Sequence, residues 1–287
     1  LGCIEGGLVF DVSTVADRLA LSADGIWYST DQELVSYPSD GNEACFKVEE
    51  SSFWFGHRNS CIAAAVRNHP PRNNEPIFDI GGGNGFVSLG LIRAGFETVL
   101  VEPGPRGASN GKLRGIETVI CATTTSAGFR RSTLEAVGLF DVIEHIDDDL
   151  RFLETIRSLL KVGGRLYATV PAYSTLWSAE DDRAGHFRRY TLRSIGSLME
   201  RAGFTVDYST YIFRPLPLPI LLLRALPYRL GFRGLFGGKT DASSDHRAPK
   251  GRAGDLMDSI LRREINHIER NGRMSFGGSC LLVASAT

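Results

Sequence analysis

Between Phe78 and Phe86 the chain reads FDIGGGNGF, with glycine at 81, 82, 83 and 85 and Asp79 two positions before the first of them. Glycine lets a backbone turn sharply and approach a ligand closely. The residues before this turn read as a strand and those after it as a helix, whose first N–H groups have no partner within the helix and face any polar group lying there. Glu102, seventeen residues past Gly85, ends the next strand, where a carboxylate can accept both hydroxyls of a ribose. The chemistry expected of this pair of elements is recognition of a nucleoside.

Dinucleotides and S-adenosylmethionine share that geometry. A dinucleotide fingerprint is GxGxxG, but the sixth position counted from Gly81 is Phe86, and the pattern present is GxGxG. Taken alone, the turn leaves open a nicotinamide cofactor, S-adenosylmethionine, or a plain tight turn of an α/β protein.

Two further clusters carry titratable groups. Asp141-Val142-Ile143-Glu144-His145 follows a strand and offers His145 as a general base, or a helix start where acidic residues are favoured electrostatically. Trp177 to Tyr190 gathers Trp177, Asp181, Asp182, His186, Arg189 and Tyr190 in one connection. His186 is a candidate base there, and Arg189 or Tyr190 could orient an anionic or phenolic substrate. The alternative is an acidic–basic network that only rigidifies the loop. Near the N-terminus, Phe53-Trp54-Phe55-Gly56-His57-Arg58 opens an amphipathic helix over 51–68. Arg58 suits a carboxylate because a guanidinium binds two oxygens at once; otherwise the aromatics of this helix simply fill core space.

The elements that must position these groups alternate in type from Pro76 to about Tyr211. Strands are expected at 77–80, 98–102, 117–121, 134–140, 165–170 and 205–211, with helices at 85–94, 147–160 and 191–202. Such alternation predicts a parallel sheet covered by helices. Gly203 and Gly163-Gly164 are expected to close the helices before them as left-handed caps. Residues 1–50 read as irregular. After Tyr211 the chain becomes apolar and proline-punctuated, then glycine-, serine- and charge-rich over 237–254, then a polar helix over 256–270 and a final strand from 279.

Together these segments resemble the class I S-adenosylmethionine-dependent methyltransferases, in particular the small-molecule branch that includes the ubiquinone-type O-methyltransferases. Phe78–Phe86 resembles their first motif, VLVEP at 99–103 their ribose-binding strand end, and GLFDVIEHID at 138–147 the segment after the fourth strand. LKVGGRLYATVP at 160–171 resembles their LKPGG turn and fifth strand, with Val162 at the usual proline. The resemblance implies an α/β, Rossmann-like, seven-stranded, mostly parallel sheet with helices on both faces, an N-terminal helical cover and a C-terminal insertion. The expected division is 1–74 with the covering helix, 75–212 as the cofactor-binding core, 213–278 as an apolar and basic insertion with a helix, and 279–287 as the last core strand.

The implied cofactor is S-adenosylmethionine, leaving as S-adenosylhomocysteine. Gly81, Gly82, Gly83 and Gly85 would line it with Asp79, Glu102 would take the ribose hydroxyls, and Pro103 would lie beside the adenine. Phe140 and Asp141 would lie under it, with Trp54 and Arg58 near its carboxylate. Many relatives carry an acidic residue after the third strand; here the run is ATTTS at 122–126, and Thr124, Thr125 or Ser126 could substitute through hydroxyl or backbone contacts. Asp141, Glu144 and His145 resemble a stretch that some ubiquinone-type enzymes use to hold a divalent metal. His186, His145 and Tyr190 are the catalytic candidates. A nicotinamide-dependent oxidoreductase and a non-catalytic cofactor-binding regulator are the alternatives.

The net charge of −1 gives no reason to expect nucleic acid. The five scattered cysteines contain no CxxC pair, which argues against a disulfide framework and against zinc and for a reducing, cytoplasmic setting. No leader pattern is visible, and no apolar run reaches the ~20 residues needed to span a bilayer. Arginines and lysines between 214 and 252, interleaved with LPLPILLLRALPYRLGF, point to peripheral membrane contact through 214–236, a cover for a lipophilic substrate, or a core-packing cap.

Overall fold

The computed structural model describes residues 10–31, 46, 48–50, 52–231 and 251–287. Cys3, Cys45 and the stretch 232–250 lie outside the described residues, and with them most of the glycine- and charge-rich expectation for 237–254.

The strands are β1 (Leu19–Leu21), β2 (Trp27–Ser29), β3 (Ile77–Ile80), β4 (Thr98–Val101), β5 (Thr118–Cys121), β6 (Leu134–Phe140), β7 (Leu160–Pro171), β8 (Phe204–Ile212) and β9 (Ser279–Ala286). They form one nine-stranded sheet in the order β1-β2-β5-β4-β3-β6-β7-β9-β8. Every residue of β3, β4, β5 and β6 is buried, as parallel strands with helices on both faces must be. Strands β2 to β7 pair in parallel, whereas β9 runs antiparallel to both β7 and β8.

The helices are α1 (Phe53–Asn68), α2 (Phe86–Arg93), α3 (Pro105–Leu113), α4 (Asp149–Leu159), α5 (Ala179–Ala184), α6 (Leu192–Arg201), α7 (Pro217–Ile220), α8 (Leu226–Arg229) and α9 (Arg252–Glu269). Leu153 and Ile156 of α4 and Ile195 and Met199 of α6 are fully buried in one core cluster. Cys61 and Ile62 of α1, Leu91 of α2 and Ile268 of α9 belong to a second. The chain leaves β3 for β4 and β5 on one side, then returns to place β6 on the other side of β3. The carboxyl ends of β3 and β6 thus flank a topological switch point, the crevice where open α/β sheets bind ligands.

The sheet has nine strands where seven were expected. The two additions, β1 and β2, are three residues each, too short to show a two-residue period, and β2 joins the edge of the sheet through β5. Helix α3 was not anticipated; its sequence PRGASNGKL has two weak helix formers in glycine, but proline sits at its favoured first turn. Leu160 caps α4 in an extended conformation and starts β7, so no glycine closes that helix. Gly163, at φ 75°, lies instead within the early part of β7. Gly203, at φ 87°, follows α6 in the expected left-handed conformation.

Two glycines of the β3–α2 turn are held differently. Gly85 has φ 74°, and a Cβ there would lie 2.4 Å from Ile116 Cδ1; Gly83 has φ 56° and open space around the same position. Left-handed backbone costs a non-glycine residue about 1–2 kcal/mol, and overpacking adds about 1–3 kcal/mol. Gly83→Ala is therefore expected to lose only the first amount and Gly85→Ala both, read as urea midpoints. Equal midpoints for the two variants would contradict this packing.

Candidate functional site

Glu102, directly after β4, is 4% exposed. Its Oε2 accepts the Gly83 N–H at 2.9 Å and its Oε1 the Gly104 N–H at 2.8 Å. Burial pushes its carboxyl up to about 7 despite those two donors. The same loop is fixed to the sheet by the Gly81 N–H, which donates to the Val101 carbonyl at 2.8 Å. Asp79 at the end of β3 is wholly buried. Its Oδ2 accepts the Ser88 hydroxyl at 2.6 Å, while Oδ1 is buried without a hydrogen-bond partner. Burial raises its carboxyl to about 6, with the Ser88 bond and the Arg58 charge working the other way.

Across the switch point, Asp141 follows β6 with φ 58°, a conformation unusual for a side chain other than glycine. Its Oδ2 accepts from the Arg58 guanidinium and its Oδ1 accepts the Thr169 hydroxyl of β7 at 2.9 Å. Arg58 is buried, leaves its Nε without a hydrogen-bond partner, and lies 4.7 Å from the Trp54 ring centroid. Trp54 in turn stacks on Phe213, 5.4 Å between ring centroids at an interplanar angle of 4°. The serine cap of α1 sets this register, since Ser52 Oγ accepts the Phe55 N–H at 3.4 Å. Phe140 is buried and fills the space a Gly138 side chain would need.

After β5 the threonine run forms a turn rather than a carboxylate site. Thr123 and Ser126 bond each other through hydroxyls and backbone, and Thr124 is half-buried beside them. Pro103 is half-buried, and its carbonyl lies 3.7 Å from Cys121 Sγ.

The third group lies at the end of β7. Asp181 of α5 is buried, with Oδ1 accepting from His186 Nδ1 at 2.8 Å and from Arg189 Nε at 2.7 Å. Burial alone would raise this carboxyl, but these donors hold it down at about 2. With Nδ1 donating to Asp181, Nε2 is the acceptor nitrogen of the neutral His186 ring. The His186 and His145 rings meet edge to face at 4.7 Å. Burial and the neighbouring His186 lower the basicity of His145. Glu144, 1% exposed, has a buried Oε2 without a partner, and burial followed by the Asp141 charge pushes its carboxyl well above the usual range. One ligand atom each from Glu144, His145 and His186 lies within 4.8 Å of the others. Tyr190 stands apart from this group: its hydroxyl donates to Asp149 Oδ2 at 2.8 Å at the start of α4, and burial followed by that bond raises its phenol far above the normal range.

The structure therefore brings Asp79, the glycine turn and Glu102 to one side of the crevice. It brings Asp141, Arg58 and Trp54 to the other, and Glu144, His145 and His186 beyond β6 and β7. Several supporting residues are not apparent from motif spacing. Ser88 and Thr169 are ordinary helix and strand residues by pattern. Asn110 of α3 donates to Asn84 Oδ1 at 2.9 Å, fixing the turn from a helix the sequence did not announce. Asp181 had a signal: with Ser178 it forms a capping box, and that spacing marks a helix start within the loop.

Carboxylates and an arginine around a glycine turn at the switch point, beneath a docked N-terminal helix, define an α/β fold of the class I S-adenosylmethionine-dependent methyltransferase kind. Comparison with known proteins agrees. A methyltransferase-domain family model matches residues 56–209, more than half of the chain, and the chain belongs to that family. Over 110 residues it is 25% identical to a ubiquinone biosynthesis O-methyltransferase of Xylella fastidiosa, covering 36% of this chain and 45% of that one. Over 98 residues it is 30% identical to the Cereibacter sphaeroides protein of the same name, covering 31% and 38%. The matched region thus spans less than half the length of these curated relatives. Among solved structures, a SAM-dependent methyltransferase of Thermotoga maritima superimposes with a TM-score of 0.52 at 16% identity, over 86% of this chain and 95% of that one. Phosphoethanolamine N-methyltransferase 2 of Haemonchus contortus with S-adenosyl-L-methionine gives 0.52 at 18% identity, over 88% and 58%. The family match supports the methyltransferase reading and not the nicotinamide alternative.

Asp181 generates an acid-stability prediction. Its folded value of about 2 lies below the ordinary aspartate value of 3.8, so its contribution is fully present above about pH 4 and is lost as pH falls through 2. The linkage is worth on the order of 2 kcal/mol. Denaturation followed from pH 5 to 2 should show that loss in the parent chain and a flatter profile in Asp181→Asn. Parallel profiles would contradict the assignment.

Proposed function

We propose that this chain transfers the methyl group of S-adenosylmethionine to a small-molecule, lipophilic acceptor and releases S-adenosylhomocysteine. The observation that carries this reading is the pairing of the Gly83 turn and buried Glu102 with Arg58 and Asp141 across one switch point. In this reading Glu102 takes the ribose hydroxyls and the backbone of Gly81, Gly82, Gly83 and Gly85 lines the cofactor, with Asp79 stiffening the turn through Ser88. Pro103 and Thr124 stand at the adenine end, Phe140 and Asp141 beneath, and Trp54 with Arg58 at the amino-acid end. S-adenosylmethionine supplies a methyl carbon already activated on sulfonium, so the chain's main tasks are alignment and exclusion of water.

A hydroxyl acceptor needs a base, and Asp181 holds His186 in the tautomer that leaves Nε2 free to take its proton. The new oxygen–carbon bond forms as the carbon–sulfur bond breaks, and the proton passes to His186. The curated relatives named as O-methyltransferases support an oxygen acceptor. The Tyr190 hydroxyl, held by Asp149, braces the loop carrying His186 and Arg189. His186→Gln should cut methyl transfer by about 100- to 10,000-fold while calorimetric binding of S-adenosylhomocysteine stays intact. Unchanged turnover would remove His186 from catalysis.

A metal reading is favoured by the partnerless Glu144 Oε2 together with the approach of one ligand atom each from Glu144, His145 and His186 to within 4.8 Å of one another. Glu144, His145 and His186 fit a divalent ion with mixed nitrogen and oxygen ligands, and such an ion would stabilise a developing oxyanion on the acceptor. Asp181 would then act as the carboxylate that orients a ligating imidazole. Dialysis against a chelator should abolish turnover and restoration of a divalent ion should return it; full turnover after chelation sinks this reading.

Glu102 makes cofactor binding pH-dependent. Its carboxyl titrates at about 7, and ribose hydroxyls donate best to the ionised form, so affinity should rise with pH through that value. Calorimetry with S-adenosylhomocysteine should show roughly five- to tenfold tighter binding at pH 8 than at pH 6, and no such difference in Glu102→Gln. Free, buried Cys61, Cys121 and Cys280 suit a reducing, cytoplasmic setting. Among the described residues no helix is long and apolar enough to cross a membrane.

A further inference from the structure

Residues 217–230 turn their apolar side outward. Leu218, Leu222, Leu223, Leu226 and Leu230 are 63%, 51%, 63%, 37% and 69% exposed, while Arg224 is half-buried and Ala225 is buried. The run is helical from Pro217 to Arg229, with a π-helical turn at Leu221–Ala225 between α7 and α8, and leucines three or four residues apart recur along one side of it. The segment is also bonded to the loop that carries Asp181 and His186. The Tyr228 hydroxyl donates to Asp182 Oδ2 at 2.6 Å and Arg229 donates to the Ser174 carbonyl at 3.2 Å, while the Arg224 charge acts on Glu180. Asp182 also accepts the Trp177 indole N–H at 3.0 Å.

The charge carried by the segment itself has one sign, while Glu180 and Asp182 of the bonded loop lie beside it. No aspartate or glutamate occurs from 213 to 231, and Arg214 and Arg229 are exposed at either end. Beside its start, a cavity of about 510 Å³ is rimmed by Arg214, Arg263 and His267 over Met274 and Phe276. Glu264, also in its wall, already accepts from His57 and from the Phe213 and Arg214 N–H groups. Exposed leucine bordered by arginine matches an interfacial membrane element, with the apolar side in the acyl boundary and the cations at anionic headgroups. A symmetric contact between two copies would instead set arginine against arginine.

We propose that the 217–230 face seats this protein on an anionic lipid surface, and that Tyr228 and Arg229 tie this seating to the His186 loop. The docking half stands without the methyl-transfer reading; only the coupling half rests on it. Co-sedimentation with vesicles tests docking with no cofactor present. The full chain is expected to pellet with phosphatidylglycerol-containing vesicles and more weakly with neutral phosphatidylcholine ones. Leu222→Ser/Leu223→Ser/Leu226→Ser should weaken partitioning by about tenfold or more with its melting temperature and sedimentation coefficient unchanged. A parent chain left in the supernatant with both vesicle types overturns the proposal. So does a triple variant that loses thermal stability, which would mean the chain's own residues cover the face, or one that changes oligomeric state, which would mean a second copy does. For the coupling, anionic vesicles should stimulate methyl transfer by the parent chain but not by Tyr228→Phe, which still pellets; equal stimulation of both overturns that half.

Discussion

A carboxylate can be buried only where donors meet it, and Glu102 meets two backbone N–H groups, one from the β3–α2 turn and one from the start of α3. That requirement governs much of the crevice. It brings Gly83 against the end of β4, which needs left-handed backbone at 81, 83 and 85, and it needs β4 to end beside β3 in register. The close packing of Gly85 against Ile116 and Gly111 then leaves room for Asn110 to reach Asn84. An unfilled acceptor capacity remains on Glu102 for donors from a ligand, and its raised basicity is the cost of this arrangement.

Opposite this clasp, one guanidinium serves three carboxyl groups. Arg58 pairs with Asp141 and its charge also offsets the burial of Asp79 and Glu144. It reaches them only because α1 is docked through His57–Glu264 and Trp54–Phe213. A helix outside the family of parallel crossovers thereby completes the electrostatics of the crevice. The link extends outward as well, since Glu264 accepts the Phe213 and Arg214 N–H groups at the root of the leucine-faced segment.

The sequence made the five central parallel strands readable because their apolar runs alternate with helical patterns, and Gly81 to Gly85 with Glu102 marked the cofactor side. Asp141 stood out because it sits just after a strand, and His186 because the connection from Trp177 to Tyr190 gathers so many polar and aromatic groups. Less could be read where short range gave no pattern. The three-residue β1 and β2 have no measurable period, and α3 depends on tertiary contacts of Ala108 and Asn110 rather than on propensity. Gly163 showed that a positive-φ glycine near a helix end can serve a strand instead. The Asp181–His186 bond and the partnerless Glu144 oxygen arise from three-dimensional approach, which residue spacing alone does not encode.

The Glu102 clasp is central to this account because it is the feature that distinguishes a nucleoside site from a tight turn. Calorimetric titration of the chain with S-adenosylhomocysteine and, separately, with NAD tests it most directly. Saturable one-to-one heat is expected with S-adenosylhomocysteine and none with NAD. Binding of NAD without binding of S-adenosylhomocysteine, or heat from neither, would contradict it.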